Sequence, residues 1–493
     1  MKAILLIASG LLIVAHRGLA SGQNAKLPPQ DTVERRIESV VHGLLPATAF
    51  TDRFAPKASL KDRMAFYHTP GVSVAVINDY RIDWARGFGV KEFGKRDPVT
   101  ATTLFQAGSI SKPIFALAVM QLVQQGKLNL DENVNHYLTS WKVPPSGSWQ
   151  PRITLRELLS HSAGFTVHGF LGYEASDKLP TIVDVLEGRL PADTPPVIVT
   201  LLPGTQFRYS GGGITVAQLV VTDALRKPFP EIMRQLVLDP LGMKHSTYEQ
   251  PLPRSWQSSA ATSHPWKNHP LPGKWYIHPE LAAAGLWTTP SDLARALLEV
   301  QLAFQGKSNR FLSVSKAAEM ITPINDRPVG IGFFAWDKGE AAAFGHNGKN
   351  EGAEAIMSAY KNTGKGAVIM INANEGFPLL GEIQRSIARA YDWPGYFDED
   401  KKPALISSNV LASCVGRYAT KAGLKFSVAN QNGTLFLKCG DQAPIELRPI
   451  SETKFSIPIL NDAEVTFSKT DKGEVNGLNL SQEGTQVSAE RER

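Results

Sequence analysis

The chain has 493 residues, which exceeds one average domain and is enough to bury a large core. Its 52 basic and 46 acidic residues give a formal net charge of +6, and because they are scattered, nothing indicates a nucleic-acid interface. The hydrophobic fraction of 43% and the charged fraction of 20% are ordinary for a globular protein.

Residues 1–20 have the pattern of a signal peptide. Lys2 supplies a positive charge, 3–15 are apolar but shorter than a typical membrane span, and Gly18 to Ala20 offer small residues for cleavage. No later stretch is long and apolar enough to cross a membrane. We therefore expect a secreted protein, periplasmic in a two-membrane bacterium, without a membrane span after cleavage. An uncleaved anchor is the alternative.

A leader at 21–30 precedes the first helix signal. Asp31 and Glu34 are spaced as a capping box, and the apolar residues that follow recur on one helical face. Residues 71–77 and 81–85 are strand-like and are separated by a turn, which predicts a hairpin.

Similar signals continue through the central part of the chain. Thr154 and Glu157 repeat the capping-box spacing, and Thr289-Pro290 opens a further helix. Two β-like runs flank the turn at 362–366. Because helices lie between strands at both ends of this part, we expect 31–400 to form one α+β domain, with an antiparallel sheet and helices packed on it.

The pattern changes to pure β after a short linker at 401–404. About eight short strands in 405–493 predict a small barrel or sandwich. Cys414 and Cys439 both lie here and flank a hairpin-like stretch. In an exported protein they form either one disulfide or two small buried thiols, and their spacing is not that of a metal site.

Ser109 and Lys112 form the most informative motif. A lysine three residues after a serine lies on the same helical face. Residues 113–123 are apolar on nearly every face, so we expect a buried helix, and burial favours the neutral amine. A neutral amine can accept the hydroxyl proton and activate the serine. The alternative is that Ser109 only caps the helix.

Two further motifs contain groups that suit such chemistry. Tyr209 precedes Ser210 and a glycine run, where a ligand can approach the backbone, and a phenolate held among cations is a competent general base. His346 follows Gly345, and it is placed to donate a hydrogen bond to a substrate carboxylate or carbonyl. A packed aromatic ring and an ordinary histidine are the alternative interpretations of these residues.

Other catalytic patterns are weak. His161 lies between two serines, but neighbours in sequence rarely form a catalytic pair, so we interpret 158–164 as a structural helix end. No G-x-S-x-G motif occurs, which argues against an α/β-hydrolase. The eleven histidines show no H-E-x-x-H or comparable spacing, and we expect neither a metal nor another cofactor.

The order of these motifs is more specific than any one of them. Ser109-x-x-Lys112, then Tyr209-Ser210, then His346-Asn347-Gly348 resembles the serine β-lactamase and penicillin-binding-protein family, in particular class C β-lactamases and their esterase and D-peptidase relatives. The resemblance covers roughly 32–395 and includes the runs at 158–164 and 240–243. The β-rich tail resembles, more weakly, the lipocalin-like modules of some D-aminopeptidase relatives.

The resemblance implies a role for each motif residue. Ser109 is the acylated nucleophile, Lys112 takes or relays its proton, and Tyr209 is the general base that activates water in deacylation. His346, with Asn347 and Gly348, stands where many members have Lys-Thr-Gly. The backbone N–H groups of Ser109 and Lys349 form the oxyanion hole.

The chain departs from the family at Gly211, where the usual Tyr-x-Asn motif has an asparagine. Glycine can hold neither Lys112 nor a substrate amide. This argues against efficient β-lactam hydrolysis and leaves ester and peptide hydrolysis open. Asn362-Thr363-Gly364 also looks like Lys-Thr-Gly, but it lies in a turn.

These observations predict an exported serine hydrolase that acts through an acyl-enzyme on a small peptide, amide or ester. A carboxylesterase with little peptidase or lactamase activity is the alternative within hydrolases. A non-catalytic binder or sensor of cell-wall peptides is the alternative of another class, and Gly211 keeps it open. The expected partner is a small-molecule or peptide substrate, with no nucleic acid.

Overall fold

The computed structural model describes residues 30–45, 58–324, 327–336, 339–397, 404–440, 442, 444–457, 463–482 and 485–492. The predicted signal peptide, nearly all of the predicted leader and residues 401–403 of the predicted linker lie outside these ranges. Those assignments therefore stay predictions.

A six-stranded antiparallel sheet lies at the centre of the first part of the chain. Its strands are β1 (Gly71–Asn78), β2 (Arg81–Gly89), β5 (Phe334–Trp336), β6 (Ala343–Asn350), β7 (Ala353–Tyr360) and β8 (Gly366–Ile371). They are arranged in the order β2-β1-β8-β7-β6-β5. A separate pair joins β3 (Phe105–Gln106) to β4 (Trp287–Thr288). The predicted hairpin is β1 with β2, and the predicted β runs around the turn at 362–366 are β7 and β8.

Helices surround this sheet, and three short 3-10 turns and one π-helical turn lie between them. The α-helices are α1 (Gln30–Val41), α2 (Leu60–Phe66), α3 (Ser111–Gln124), α4 (Leu155–Leu159), α5 (Ile182–Glu187), α6 (Gly211–Leu225), α7 (Phe229–Met233), α8 (Arg254–Gln257), α9 (Leu281–Ala284), α10 (Pro290–Phe304), α11 (Val314–Ile321) and α12 (Phe377–Ala390). The other turns are Gly108–Ile110, Val134–His136, Gly339–Ala341 and Arg234–Leu238.

Each face of the sheet contributes to a different apolar core. Ala75 and Ile77 of β1 pack with α3, α6 and α10, whereas Val72, Val74 and Val76 pack with α1, α2 and α12. Successive side chains of a strand point to opposite faces, so a strand buried on both faces is apolar throughout. The predicted α+β class, with an antiparallel sheet between helices, is confirmed.

The capping signals place two helix starts correctly and one incorrectly. Thr154 forms a complete capping box with Glu157, and Thr289 caps α10 with proline at its first position. Asp31 was expected to cap the first helix, but α1 already includes Gln30. The spacing of Asp31 and Glu34 alone did not reveal that the helix extends toward the N-terminus to include Gln30.

The last part of the chain forms α13 (Ser408–Cys414) and a closed eight-stranded barrel. Its strands, joined in the order β10-β11-β12-β13-β14-β15-β16-β9, are β9 (Gly416–Ala419), β10 (Lys425–Gln431), β11 (Thr434–Cys439), β12 (Ile445–Pro449), β13 (Lys454–Ser456), β14 (Glu464–Lys469), β15 (Val475–Gln482) and β16 (Thr485–Arg491). Of the two predicted architectures, the barrel is therefore the one formed.

Aromatic and aliphatic side chains fill the barrel interior. Tyr418, Phe455 and Phe467 are almost fully buried, and the ring centroids of the two phenylalanines lie 5.5 Å apart. Cys414 is buried and Cys439 half-buried in the same core, and both are free thiols. The disulfide considered above is therefore not present, and each cysteine packs as a small apolar side chain.

The turn that carries Ser109 packs directly against β6 through two glycines. A Cβ atom added at Gly108 would lie 2.5 Å from the backbone nitrogen of Lys349, and one added at Gly348 would overlap the carbonyl oxygen of Ala107. Gly108 also has a φ of +50°, which disfavours other residues. The backbones approach this closely because neither glycine has a side chain.

Gly348→Ala should push the Ser109 turn away from β6. We expect the free energy of unfolding to fall by about 1–3 kcal/mol and turnover to fall with it, because the added methyl group has no space. Gly169→Ala is the matched control, since a Cβ atom there meets no other atom within 4 Å. Urea unfolding of both variants measures the effect, and equal stability of the two would contradict the packing described.

Candidate active site

Ser109 and Lys112 meet where the 3-10 turn leads into α3. Lys112 Nζ lies 2.9 Å from Ser109 Oγ, as the three-residue spacing predicts. The residue at the N-cap of α3 is Ile110, and no side chain caps this end of the helix. The simpler interpretation, in which Ser109 only caps the helix, therefore does not describe this structure. Ser109 is half-buried, which leaves its hydroxyl accessible to a ligand.

The amine of Lys112 is buried in an environment that favours its neutral form. The residue is 2% exposed, and Nζ donates a second hydrogen bond, 2.7 Å long, to the carbonyl oxygen of Ala283 at α9. Burial lowers the Lys112 pKa to about 7, because desolvation penalises the charged ammonium. A large fraction of the amine is thus neutral near pH 7 and can accept a proton from Ser109.

Tyr209 lies beside the same serine, and Lys112 Nζ is 5.1 Å from the centroid of its ring. It immediately precedes α6, which Ser210 caps by accepting a 2.9 Å hydrogen bond from the Gly213 N–H. Burial raises the pKa of the Tyr209 phenol, and a hydrogen bond with the Ser109 side chain opposes this shift. The phenol is therefore protonated at neutral pH. This differs from the phenolate base expected above, and it favours Lys112 as the base and Tyr209 as a proton donor or relay.

His346 reaches the site from β6. Its ring centroid lies 5.1 Å from that of Phe334 and 6.2 Å from that of Tyr209, and the residue is 4% exposed. Nδ1 lies 2.5 Å from the carbonyl oxygen of Asn347. Burial lowers the His346 pKa to about 3, and the nearby Lys112 charge acts in the same direction. The imidazole is therefore neutral at physiological pH.

The residues that follow His346 contribute mainly backbone. The Asn347 side chain is exposed, Gly348 contacts the Ser109 turn, and the Lys349 nitrogen is next to that turn. The Lys349 ammonium lies 2.9 Å from the carboxylate of Glu354 on the neighbouring strand. The similar Asn362-Thr363-Gly364 run lies in the turn between β7 and β8, as expected.

His161 is the main residue of the site that the sequence analysis set aside. As predicted, it lies at a helix end, just after α4. Its ring packs against that of Tyr209, with centroids 4.3 Å apart and planes tilted by 33°. Its Nδ1 accepts a 3.2 Å hydrogen bond from the Ser210 N–H. His161 thus positions Tyr209 from behind, without direct contact to Ser109. The run Leu-Leu-Ser-His-Ser-Ala-Gly was a usable signal, since it was part of the family resemblance.

The space beside Gly211 is already occupied, which explains why asparagine is absent there. A Cβ atom at Gly211 would lie 3.0 Å from the Phe170 ring and 3.1 Å from the carbonyl oxygen of His168. The Gly211 N–H donates a 3.0 Å hydrogen bond to that same carbonyl. An asparagine would therefore require the segment 168–170 to move away.

A cavity of about 500 Å³ opens in front of Ser109. Tyr209 and His346 line it together with several further residues, most of them aromatic: His168, Phe207, Phe334, Trp336 and Phe377. The sequence suggested 167–173 as a loop with aromatic residues over the pocket, or equally an ordinary surface loop, but it did not identify the rest of this lining, because its members come from four separate segments. No local pattern connects such positions before the chain has folded.

A buried polar pair lies just before α9. His278 and Glu280 are almost fully buried, and no hydrogen-bond partner of either side chain occurs in the described part of the protein. Burial lowers the His278 pKa to about 4 and raises the Glu280 pKa to about 8, so both are largely neutral at pH 7. They precede the helix whose Ala283 carbonyl holds Lys112, and no motif pointed to them.

Within the described ranges, no group of three or more His, Cys, Asp or Glu side chains is arranged to hold a metal ion. Across the same ranges, every helix is too short or too polar to cross a membrane.

The arrangement has the parts that acyl transfer requires. Lys112 can accept the Ser109 proton, Tyr209 can return one to a leaving group, and the backbone nitrogens of Ser109 and Lys349 flank the nucleophile. A serine, a lysine and a tyrosine in these positions, on an antiparallel sheet between helices, are an arrangement typical of serine hydrolases. The chain belongs to the β-lactamase family, because the family model described as Beta-lactamase matches residues 57–391.

One curated relative and two solved structures illustrate the family. Protein flp of Staphylococcus aureus strain MW2 is 23% identical over 327 residues, which are 64% of this chain and 62% of that protein. The octameric penicillin-binding protein homologue from Pyrococcus abyssi has a TM-score of 0.58 at 21% identity, over 88% of this chain and 97% of its own. D-amino acid amidase from Ochrobactrum anthropi SV3 has a TM-score of 0.53 at 21% identity, over 68% of this chain and 97% of its own.

Activity should rise with pH around pH 7, where Lys112 loses its proton. Four histidines interact electrostatically with Lys112 or with its partners, and the pKa of each is lowered (His161, His168, His278 and His346). The Tyr209 pKa is raised. Lys112 is thus the member of this set that changes charge near neutrality, and its deprotonated form is the active base. The pH dependence of kcat/KM for an ester substrate measures this step.

The matched control for that titration is Lys112→Arg, because a guanidinium stays protonated throughout this range. We expect this variant to lose activity at every pH. A wild-type profile that is flat between pH 5.5 and 8.5 would contradict the assignment of Lys112 as base.

Lys112→Met should stabilise the fold while it abolishes turnover. The Lys112 pKa falls from an ordinary 10.5 to about 7 on folding, so between these values the unfolded state binds more protons and wild-type stability rises with pH. Methionine removes the buried amine but leaves the Ala283 carbonyl unpaired. At pH 6 we expect the free energy of unfolding of the variant to exceed that of wild type by about 1–3 kcal/mol, and this difference should narrow toward pH 10.

Urea unfolding of Lys112→Met and wild type at pH 6 and pH 9 measures this difference. A variant that is less stable than wild type at pH 6, or a gap that does not narrow with pH, would show that desolvation is not the dominant effect on Lys112.

Proposed function

We propose that this protein hydrolyses a small amide, peptide or ester through an acyl-enzyme on Ser109. The observation that carries the proposal is the 2.9 Å contact between Lys112 Nζ and Ser109 Oγ, made by an amine whose burial favours the neutral form. A neutral amine within hydrogen-bond distance of a serine hydroxyl is the arrangement that activates the nucleophile.

The proposed reaction has two halves. Lys112 accepts the Ser109 proton while Oγ attacks the substrate carbonyl, and the N–H groups of Ser109 and Lys349 stabilise the oxyanion. Collapse of this intermediate breaks the bond to the leaving group, which receives a proton from Tyr209, and Lys112 restores the tyrosine proton. In the second half, water gives a proton to Lys112 by way of Tyr209 while its oxygen attacks the acyl carbon. The bond from that carbon to Ser109 Oγ then breaks and Oγ takes the proton back from Lys112, which releases the acid and restores the free enzyme.

Three observations bear on the substrate class. The asparagine amide of the usual motif is missing at position 211, where an added Cβ atom would already lie 3.0 Å from Phe170, and this argues against efficient β-lactam hydrolysis. The cavity is lined mainly by aromatic rings, which suits an apolar acyl or leaving group and keeps a carboxylesterase as the second candidate. Among the structural neighbours, one is named a D-amino acid amidase, which supports amides as substrates.

The site of action is proposed from residues 1–20 alone. Their signal-peptide pattern supports export, with the periplasm as destination in a two-membrane bacterium. Fractionation of cells that express the full chain, with N-terminal sequencing of the product, tests both export and cleavage.

Ser109→Ala should abolish hydrolysis and covalent labelling. With the hydroxyl removed, no acyl-enzyme forms, so we expect turnover of p-nitrophenyl esters to fall at least about a thousandfold and fluorophosphonate labelling to disappear. Ser162→Ala is the matched control. The Ser162 side chain is buried next to His161. Its hydroxyl forms a 3.0 Å hydrogen bond with Ser160 and does not line the cavity. Undiminished turnover in Ser109→Ala would overturn the assignment.

A substrate panel separates the remaining candidates. p-Nitrophenyl esters, D-amino-acid peptides and nitrocefin are compared with the purified protein, and the acyl-enzyme is followed by mass spectrometry. Turnover of esters alone identifies a carboxylesterase. A stable acyl-enzyme without hydrolysis of any substrate identifies a binder or sensor.

A further inference from the structure

The protonation of the His346 ring follows from its hydrogen bond. Nδ1 lies 2.5 Å from the carbonyl oxygen of Asn347, and a carbonyl oxygen can only accept a hydrogen bond. Nδ1 therefore carries the proton. Because a neutral imidazole has one N–H, Nε2 has a free lone pair and is an acceptor.

Nε2 has no partner among the described residues, although the His346 side chain is more than nine-tenths buried. The ring that carries it lines the cavity in front of Ser109 and lies between Phe334 and Tyr209. Buried acceptors are almost always hydrogen-bonded, so an unpaired one at a ligand cavity points to a donor on the ligand.

The two lysines near His346 already have partners of their own. Lys349 lines the cavity, but its ammonium is paired with Glu354 at 2.9 Å. Lys112 donates to Ser109 and Ala283 behind the nucleophile. The low His346 pKa agrees with a ring that stays neutral in the working pH range. The described part of the cavity thus presents an acceptor at this position, and the lysine that lines it already lies against a carboxylate.

We infer that His346 Nε2 selects substrates that carry a neutral hydrogen-bond donor next to the scissile bond, such as a primary carboxamide, and that it rejects a free carboxylate there. This inference rests on the proposed hydrolase function and reverses the donor role expected for His346 from the sequence. A carboxylate would place its own lone pairs against Nε2 and would lose hydration without gaining a charged partner.

The test uses pairs of compounds that differ only in this group. N-acetylated dipeptides with a free C-terminal carboxylate are compared with their primary amides, in the D and L series, both as substrates and as competitors of p-nitrophenyl acetate hydrolysis. We expect the amides to exceed the acids by about tenfold or more in kcat/KM or in inhibition, because a site that bonds a substrate N–H rejects the analogue that lacks it.

His346→Lys should reverse the preference, because an ammonium at this position attracts the carboxylate. The measured quantity is the ratio of acid to amide within each variant, so a general loss of activity does not affect the conclusion. His136→Lys is the matched control, since it adds the same charge at an exposed histidine that does not line the cavity. Circular dichroism checks that each variant is folded. If His346→Lys does not fold, the ratio of acid to amide measured for wild type still tests the inference.

The outcomes distinguish this inference from the proposed function. If wild type shows no ester turnover and no labelling of Ser109, the hydrolase proposal fails. If wild type hydrolyses esters but treats acids and amides equally, or prefers acids, the inference about His346 is wrong while the hydrolase proposal stands. Equal behaviour includes the case in which neither compound binds. An unchanged ratio of acid to amide in His346→Lys would likewise overturn the inference about His346.

Discussion

The burial of one amine is the constraint on which the site depends. Lys112 lies inside an apolar helix whose other residues are buried from Ser111 to Met120, so its ammonium would be largely withdrawn from solvent. Desolvation lowers its pKa to about 7, and this converts an ordinary lysine into a base at neutral pH. The same apolar packing that forms the core of the domain therefore also sets the protonation of the proposed base.

Close packing of backbone sets the position of the nucleophile relative to the strand beside it. Glycines at 108 and 348 let the Ser109 turn touch β6, and this contact brings the Lys349 nitrogen next to the serine. Around this contact the protein places neutral groups, including His161, His346 and the Tyr209 phenol. In such a site, a developing oxyanion and the Lys112 charge are the principal local charges, and both act at low dielectric.

The predictable features were those encoded in short segments. The pair Ser109 and Lys112 follows from helical spacing, the capping of α4 and α10 follows from threonine and its neighbours, and strand alternation identified the C-terminal barrel or sandwich. The features that could not be predicted require distant segments to meet. The Ala283 carbonyl that holds Lys112 and the Phe170 ring that fills the place of an asparagine belong to such segments. Protonation states belong to the same group, because burial is known only after folding.

The closed barrel restricts how the last part of the chain can act. Because β9 pairs with both β10 and β16, each of the eight described strands has two neighbours, and none of them presents a free sheet edge to a strand from another molecule. Its interior holds the rings of Tyr418, Phe455 and Phe467 where a ligand would otherwise sit. The surfaces that the described barrel leaves for a partner or substrate are its outward-facing side chains and its loops, which can vary in sequence without disturbing the core.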